Sequence, residues 1–281
     1  MAWGCFCWIP CPYKQWNDDD REAMVAMLPL VGTGLALITG LVWAAVSMLG
    51  APAVLAGAVV TAGYFVMTGF IHLDGFMDVC DAVMPRHPKL EVRRRILKDP
   101  HTGSFAAVSM ALMLLIFAAS AAAMSGSWAW GTLTFVAVAT TSRCVSAVTV
   151  LSCRPMETSQ YVTTDFGTGR AARKVAPAVI ITAAVLAGCV LVSLQLPVLA
   201  IPASDSAGGF IGLQGAALMG QAFREAPAII MLASAAVCAL TGVIIGALDR
   251  RSLGGMNGDI SGHIITSGEM AGMLAGALLL G

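Results

Sequence analysis

The stretch Gly69-Phe70-Ile71-His72-Leu73-Asp74-Gly75-Phe76-Met77-Asp78-Val79-Cys80-Asp81-Ala82 decides how the rest of the chain is read. It follows a long apolar run and sets three aspartates four and three residues apart. In a helix, positions i, i+4 and i+7 fall within roughly 60° of one another on one face. Three carboxylates that close repel. A divalent cation offsets the repulsion, and aspartate oxygens suit a hard ion such as Mg2+. Such an ion keeps positions open for substrate phosphates, which points to phosphate chemistry.

Composition places that chemistry at a membrane. Of 281 residues, 58% are hydrophobic and only 11% charged, with a mean hydropathy of +0.82. Soluble domains carry about 25% charged residues, whereas apolar runs of about twenty residues read as spans. The net charge of zero gives no long-range attraction to nucleic acid, so the lipid bilayer is the partner that composition demands. The first twenty residues carry Pro10, Pro12 and Asp18-Asp19-Asp20 and do not read as a signal peptide. Eight cysteines are scattered without a C-x-x-C pair. Cys5, Cys7 and Cys11 lack a nearby fourth zinc ligand, so they read as small apolar side chains.

The predicted fold is an all-α polytopic helical bundle of about seven transmembrane helices, one domain over residues 1–281. Spans are expected at roughly 24–48, 52–71, 104–124, 128–150, 175–196, 227–248 and 259–280. A polar loop covers 152–174 and a mixed connection 197–226. With the N-terminus in the cytoplasm, 15 of the 16 basic residues fall inside, Arg143 counted among them at the inner end of the fourth span, and only Arg224 falls outside. This arrangement predicts a cytoplasmic-membrane protein whose motif segments, 69–105, 152–174 and 253–280, all open on the cytoplasmic side.

Three further segments carry candidate chemistry. Lys98-Asp99-Pro100 followed by Thr102-Gly103 reads as a shaped turn, with Lys98 and Asp99 as substrate contacts; the preceding Arg93, Arg94 and Arg95 read as lipid anchors. Ser152-Cys153-Arg154-Pro155-Met156-Glu157 runs on to Asp165-Phe166-Gly167. In Leu253-Gly254-Gly255-Met256-Asn257-Gly258-Asp259, glycines let backbone amides approach an anion. Asp259 opens a helix with His263 on the same face. Glu269 falls inside the last apolar segment, where an ionisable group is a functional candidate. For His72, substrate contact competes with helix capping and with no role.

Taken together, His72–Ala82, Lys98–Ala106, Cys153-Arg154-Pro155 and Leu253–Glu269 resemble, in this order, the motifs of the cobalamin synthase family, the adenosylcobinamide-GDP ribazoletransferases. Even Cys7–Pro12 is similar to the family's opening, with Cys7-Trp8 in place of its usual Thr-Arg. The resemblance implies a Mg2+-dependent membrane enzyme of late coenzyme B12 assembly, joining α-ribazole, or its 5′-phosphate, to adenosylcobinamide-GDP with release of GMP. It carries Asp74, Asp78 and Asp81 over as the metal-binding acids, Lys98 and Asp99 as a Lys-Asp pair and Arg154 as the Arg of an Arg-Pro. Asp259 falls on the acid of a Thr-Gly-Asp in which Asn257 stands for Thr. His72, Arg154 and Asn257 are thereby candidate substrate contacts, and Lys98, Asp99, Asp259 and His263 candidate catalytic groups. His263 replaces a usual Ala, Thr266 a usual Glu, and Glu269 matches a later Glu. The number of assembled chains stays open, a homo-oligomer included. Two other readings compete: a CDP-alcohol phosphotransferase, whose Ala-Arg after Asp-Gly is missing here, and an ion-coupled transporter, whose midplane site and repeated halves are not apparent.

Overall fold

The computed structural model describes residues 1–11, 16–157, 159, 171–195 and 227–280. Asp165-Phe166-Gly167 and the 197–226 connection, with Arg224, lie outside the described residues. Eleven α-helices are described: α1 (Ala2–Phe6), α2 (Arg21–Ala26), α3 (Leu28–Met48), α4 (Ala53–Met67), α5 (Ile71–Val83), α6 (Leu90–Ile96), α7 (Ser104–Ala123), α8 (Trp128–Ser152), α9 (Ala171–Gln195), α10 (Pro227–Leu253) and α11 (Gly258–Leu280). The protein is 83% helical without strands among the described residues. Helices α3, α7, α8, α9, α10 and α11 are long and apolar enough to cross a membrane. The bent pair α4–α5 brings the total to seven if it forms one span. This is the expected all-α polytopic bundle.

The second span departs from a straight rod. It breaks at Thr68-Gly69-Phe70, and α5 leaves α4 at 91°. The break is a Schellman ending. Gly69 N–H donates to the Val66 carbonyl (2.9 Å) and Phe70 N–H to that of Phe65 (3.1 Å). Gly69 takes the left-handed backbone this requires (φ 60°), and Phe70 follows it (φ 59°). The aspartate helix is thus a separate element aimed by a short turn.

Helix α8 is the centre of the bundle, packed against α3, α9, α10 and α11. Lipid-facing helices expose large apolar side chains, such as Leu41 on α3, Leu115 on α7, Ile180 on α9 and Leu240 on α10. In a bilayer these face acyl chains. Inside, Tyr64 packs edge-on to Phe135 with centroids 4.8 Å apart, and Phe65 edge-on to Phe117 at 5.5 Å. Hydroxyl pairs add directional ties: Thr33 to Thr140 (2.8 Å) between α3 and α8, and Ser146 to Ser261 (2.6 Å) between α8 and α11.

The ion pair at the middle of the bundle corrects one expectation. Arg143 does not sit at the inner end of its span as a topogenic charge. It is 0% exposed and paired with Glu269, which is 2% exposed. The Tyr64 hydroxyl (2.7 Å) and Ser142 hydroxyl (3.0 Å) also donate to Glu269 Oε1, and Arg143 Nη2 donates to Tyr64 Oη (2.8 Å). Four groups on α4, α8 and α11 thereby bond one another inside the bundle, while the buried Arg143 Nε has no hydrogen-bond partner among the described residues. Glu269 is therefore a structural lock. We predict that Arg143→Met alone destabilises the detergent-purified protein by about 3–5 kcal/mol, because Glu269 is left buried and unpaired. Arg143→Met with Glu269→Leu should recover most of that loss in thermal unfolding.

Candidate functional site

Helices α5 and α11 run past each other with their backbones almost in contact. A Cβ added at Gly75 would lie 2.8 Å from Asp259 Cα, and one at Gly262 would lie 2.7 Å from the His72 carbonyl oxygen. Real Cβ atoms do not sit that close, so glycine at both positions sets the helix separation. The Thr266 hydroxyl donates to the His72 carbonyl (3.2 Å) and fixes the register. Residues nearly two hundred positions apart therefore meet. The negative charges of Asp74, Asp259 and Asp81 all bear on the carboxyl of Asp78. Asp74 is exposed, while Asp78, Asp81 and Asp259 are part-buried.

The four acids are not equivalent. Asp81 accepts hydrogen bonds from the Gly103 (2.6 Å) and Ala106 (2.9 Å) amides at the start of α7. A carboxylate there satisfies two orphan donors and faces the positive end of the helix. Its oxygens are engaged in docking the Lys98–Gly103 turn onto α5. Asp259 is held differently. Asn257 is the N-cap of α11: its Oδ1 accepts from Ile260 N–H (3.0 Å) while its Nδ2 donates to Asp259 Oδ2 (2.6 Å). Asn257 therefore aims a carboxylate as well as starting a helix. Asp74 and Asp78 have no hydrogen-bond donor among the described residues.

The remaining motif segments gather at this end of the bundle. Met156 N–H donates to the Met256 carbonyl (2.9 Å) and Met256 N–H to the Arg154 carbonyl (3.0 Å). A short parallel bridge thus lays the Cys153-Arg154-Pro155 segment along the Gly-rich turn. Arg154 is exposed. Lys98 is also exposed, and Asp99 folds back on His101, accepting from its amide (3.0 Å) and ring Nδ1 (2.7 Å). Those bonds hold the Asp99 carboxyl below the usual carboxylate range.

Arg93 and Arg94 prove to be braces, where lipid anchors were expected. Arg93 Nε donates to the Ser252 carbonyl (2.8 Å), and Arg94 donates through Nε to that of Leu253 (2.8 Å) and through Nη2 to that of Gly254 (3.2 Å). A helix C-terminus leaves carbonyls unpaired and attracts cations, which is what these arginines supply to α10.

Two histidines have partners other than Asp74, Asp78, Asp81 and Asp259. His263 Nδ1 pairs with Asp249 of α10 (2.7 Å), and its ring meets Phe76 edge-on at 5.2 Å. Asp249, a buried acid the sequence reading passed over, turns that ring toward α10. Its only sequence signal was a carboxylate beside Arg250-Arg251 near a span end. His72 is buried, stacked on Phe6 of α1 at 6.0 Å, with Nε2 lacking a hydrogen-bond partner.

Asp74, Asp78 and Asp259 present oxygen donors and uncompensated negative charge, which fit a hard divalent cation. Among the described residues no group of three or more His, Cys, Asp or Glu side chains is arranged to hold a metal ion.

A family model described as cobalamin-5-phosphate synthase matches residues 1–277. The chain belongs to this family. Proteins named adenosylcobinamide-GDP ribazoletransferase are similar over a shorter stretch. The one from Clostridium botulinum (strain Eklund 17B / Type B) is 30% identical over 117 residues, which is 40% of this chain and 44% of that protein. The one from Clostridium perfringens (strain SM101 / Type A) is 27% identical over 114 residues, 41% and 45% of the two chains. The match thus spans under half the length of these curated relatives. No solved structure matches. Family membership sets aside the CDP-alcohol phosphotransferase and transporter readings.

The different surroundings of the acids predict opposite stability effects in metal-free buffer. Asp81→Ala should cost about 1 kcal/mol through the lost cap. Asp78→Asn should raise the melting temperature, because it removes one charge from a repelling group. Differential scanning fluorimetry of the two variants checks both signs.

Proposed function

We propose that this protein is an adenosylcobinamide-GDP ribazoletransferase that joins α-ribazole, or its 5′-phosphate, to adenosylcobinamide-GDP. The observation that carries the reading is the meeting of Asp74 and Asp78 on α5 with Asp259 on α11, in a chain matched almost end to end by the cobalamin-5-phosphate synthase model. Asp74 and Asp78 would hold a Mg2+ ion, and the ion would supply charge neutralisation of a diphosphate.

In the reaction, a ribazole hydroxyl oxygen bonds to the phosphorus nearer cobinamide. The bond from that phosphorus to the bridging oxygen breaks, and GMP leaves with the bonding electrons. The hydroxyl proton passes to a base. Asp259 suits that role because Asn257 holds it at a helix N-terminus beside the other acids. His263, the other candidate, is tied to Asp249, and its part is to support the α10–α11 contact. Lys98 and Arg154, both exposed at this end of the bundle, bring positive charge to the departing GMP phosphate. Asp99 shapes the turn that presents Lys98. Asp81 fixes that turn against α5, so its contribution is positional. His72, under α1, supports the helix pair from behind. We assign the site to the cytoplasmic face of the membrane, because Arg86–Lys98 and Arg250-Arg251 border it.

Incubating the detergent-purified protein with adenosylcobinamide-GDP, α-ribazole and Mg2+ should release GMP and form the adenosylcobalamin product, and a chelator should stop both. Asp78→Ala should lower turnover at least a thousandfold. Near-normal turnover of Asp78→Ala would reject the assignment. Asn257→Ala should act through Asp259 and lower kcat about tenfold with KM little changed. A KM effect alone would make Asn257 a substrate contact instead.

A further inference from the structure

The opposite flank of α5 carries a second site. Val83 sits about 140–180° around the helix from Asp74, Asp78 and Asp81. On that side a cavity of about 700 Å3 opens between the end of α5 and the end of α10, with Val83, Met84, Arg86, His87, Leu248 and Arg251 in its lining. Its volume is that of a small-molecule pocket.

Three observations describe what it would hold. Arg86 and Arg251 are exposed, and no described carboxylate pairs with either. Arg86 also takes the left-handed backbone conformation (φ 55°), which is uncommon for a residue with a Cβ and is kept where the surroundings require it. The cationic rim is braced, because the side chain of Arg93 bonds the carbonyls of Ser252 and His87 and joins the two walls. Beside the rim, Met84 and Leu248 are about half exposed (49% and 51%), an apolar surface next to the Arg86 and Arg251 guanidiniums at a span end.

We propose that this cavity binds a phosphate group, as presented by the headgroup of an acidic phospholipid. Arg86 and Arg251 hold the phosphate oxygens, and Met84 and Leu248 take the first carbons of the lipid. Guanidinium forks match phosphate geometry, and an anionic leaflet surface supplies the ligand at high local concentration. The site is independent of the ribazole-transfer reading, since it stands on binding alone.

The test uses the full chain reconstituted in nanodiscs of phosphatidylcholine with one-fifth phosphatidylglycerol, followed by native mass spectrometry of retained lipid. Wild type should keep phosphatidylglycerol, and R86Q/R251Q should keep at least tenfold less, while R86K/R251K keeps most of it. A second arm adds millimolar inorganic phosphate to lipid-stripped protein in detergent. A rise in melting temperature that R86Q/R251Q lacks, without selective lipid retention, would assign the site to the free ion. Equal phosphatidylglycerol retention by wild type and R86Q/R251Q, with no phosphate-dependent shift, would overturn the proposal. If R86Q/R251Q does not fold, R251Q, an exposed residue in the last turn of α10, decides by the same criteria.

Discussion

The site exists because the backbones of α5 and α11 can touch. Helix axes normally stay 8–10 Å apart, held off by side chains. Here Gly75 faces the Asp259 backbone, and Gly262 faces His72. Removing both Cβ atoms lets two short acidic side chains on one helix lie beside a third on another. The aspartate carboxyl carbon lies only two bonds from Cα, so a wider helix separation would weaken the field the carboxylates exert on one another. The 91° break at Thr68-Gly69-Phe70 serves the same end, because it aims α5 along α11 independently of the path of α4.

Much of this was legible in the chain. The i, i+4, i+7 spacing put Asp74, Asp78 and Asp81 on one face, and the apolar runs located the spans to within a few residues. Asn257 was expected only as a substrate contact, and its capping of the Ile260 amide emerges only with the structure. Spacing says nothing, however, about what stands opposite a face. Asp81 shares its face with the other acids, yet its oxygens meet the first turn of α7, a partner twenty-two residues on. Local pattern alone could not reveal that cap.

The same limit explains Arg143 and the arginines of α6. A basic residue near a predicted span end contributes to a charge tally whether it is wet or buried. Arg143 finds Glu269 across 126 residues, a pairing visible only once α8 and α11 are packed. Arg93 and Arg94 find bare carbonyls at the end of α10, 159 residues away. In each case the chain advertised a charge, and the fold chose its partner. The stronger sequence clue to Arg143 was the company it keeps: Thr140, Thr141, Ser142 and Ser146, polar groups on a helix too buried to be solvated.

Stability and chemistry are therefore drawn from different parts of the bundle. Around Arg143, every charge is answered by an opposite charge or a hydroxyl, and the surrounding helices are fixed by it. Around Asp78, three carboxylates bear on a fourth, and no described cation answers them. A fold tolerates such a like-charge group only if the rest of the structure is stable enough to hold it open. The packed aromatic layer of Tyr64, Phe65, Phe117 and Phe135 adjoins the Arg143 cluster along α4, α7 and α8. The geometry of that acidic group is set by contacts around it: the backbone approach at Gly75 and Gly262, the Asn257 cap of α11, and the docking of α7 by Asp81.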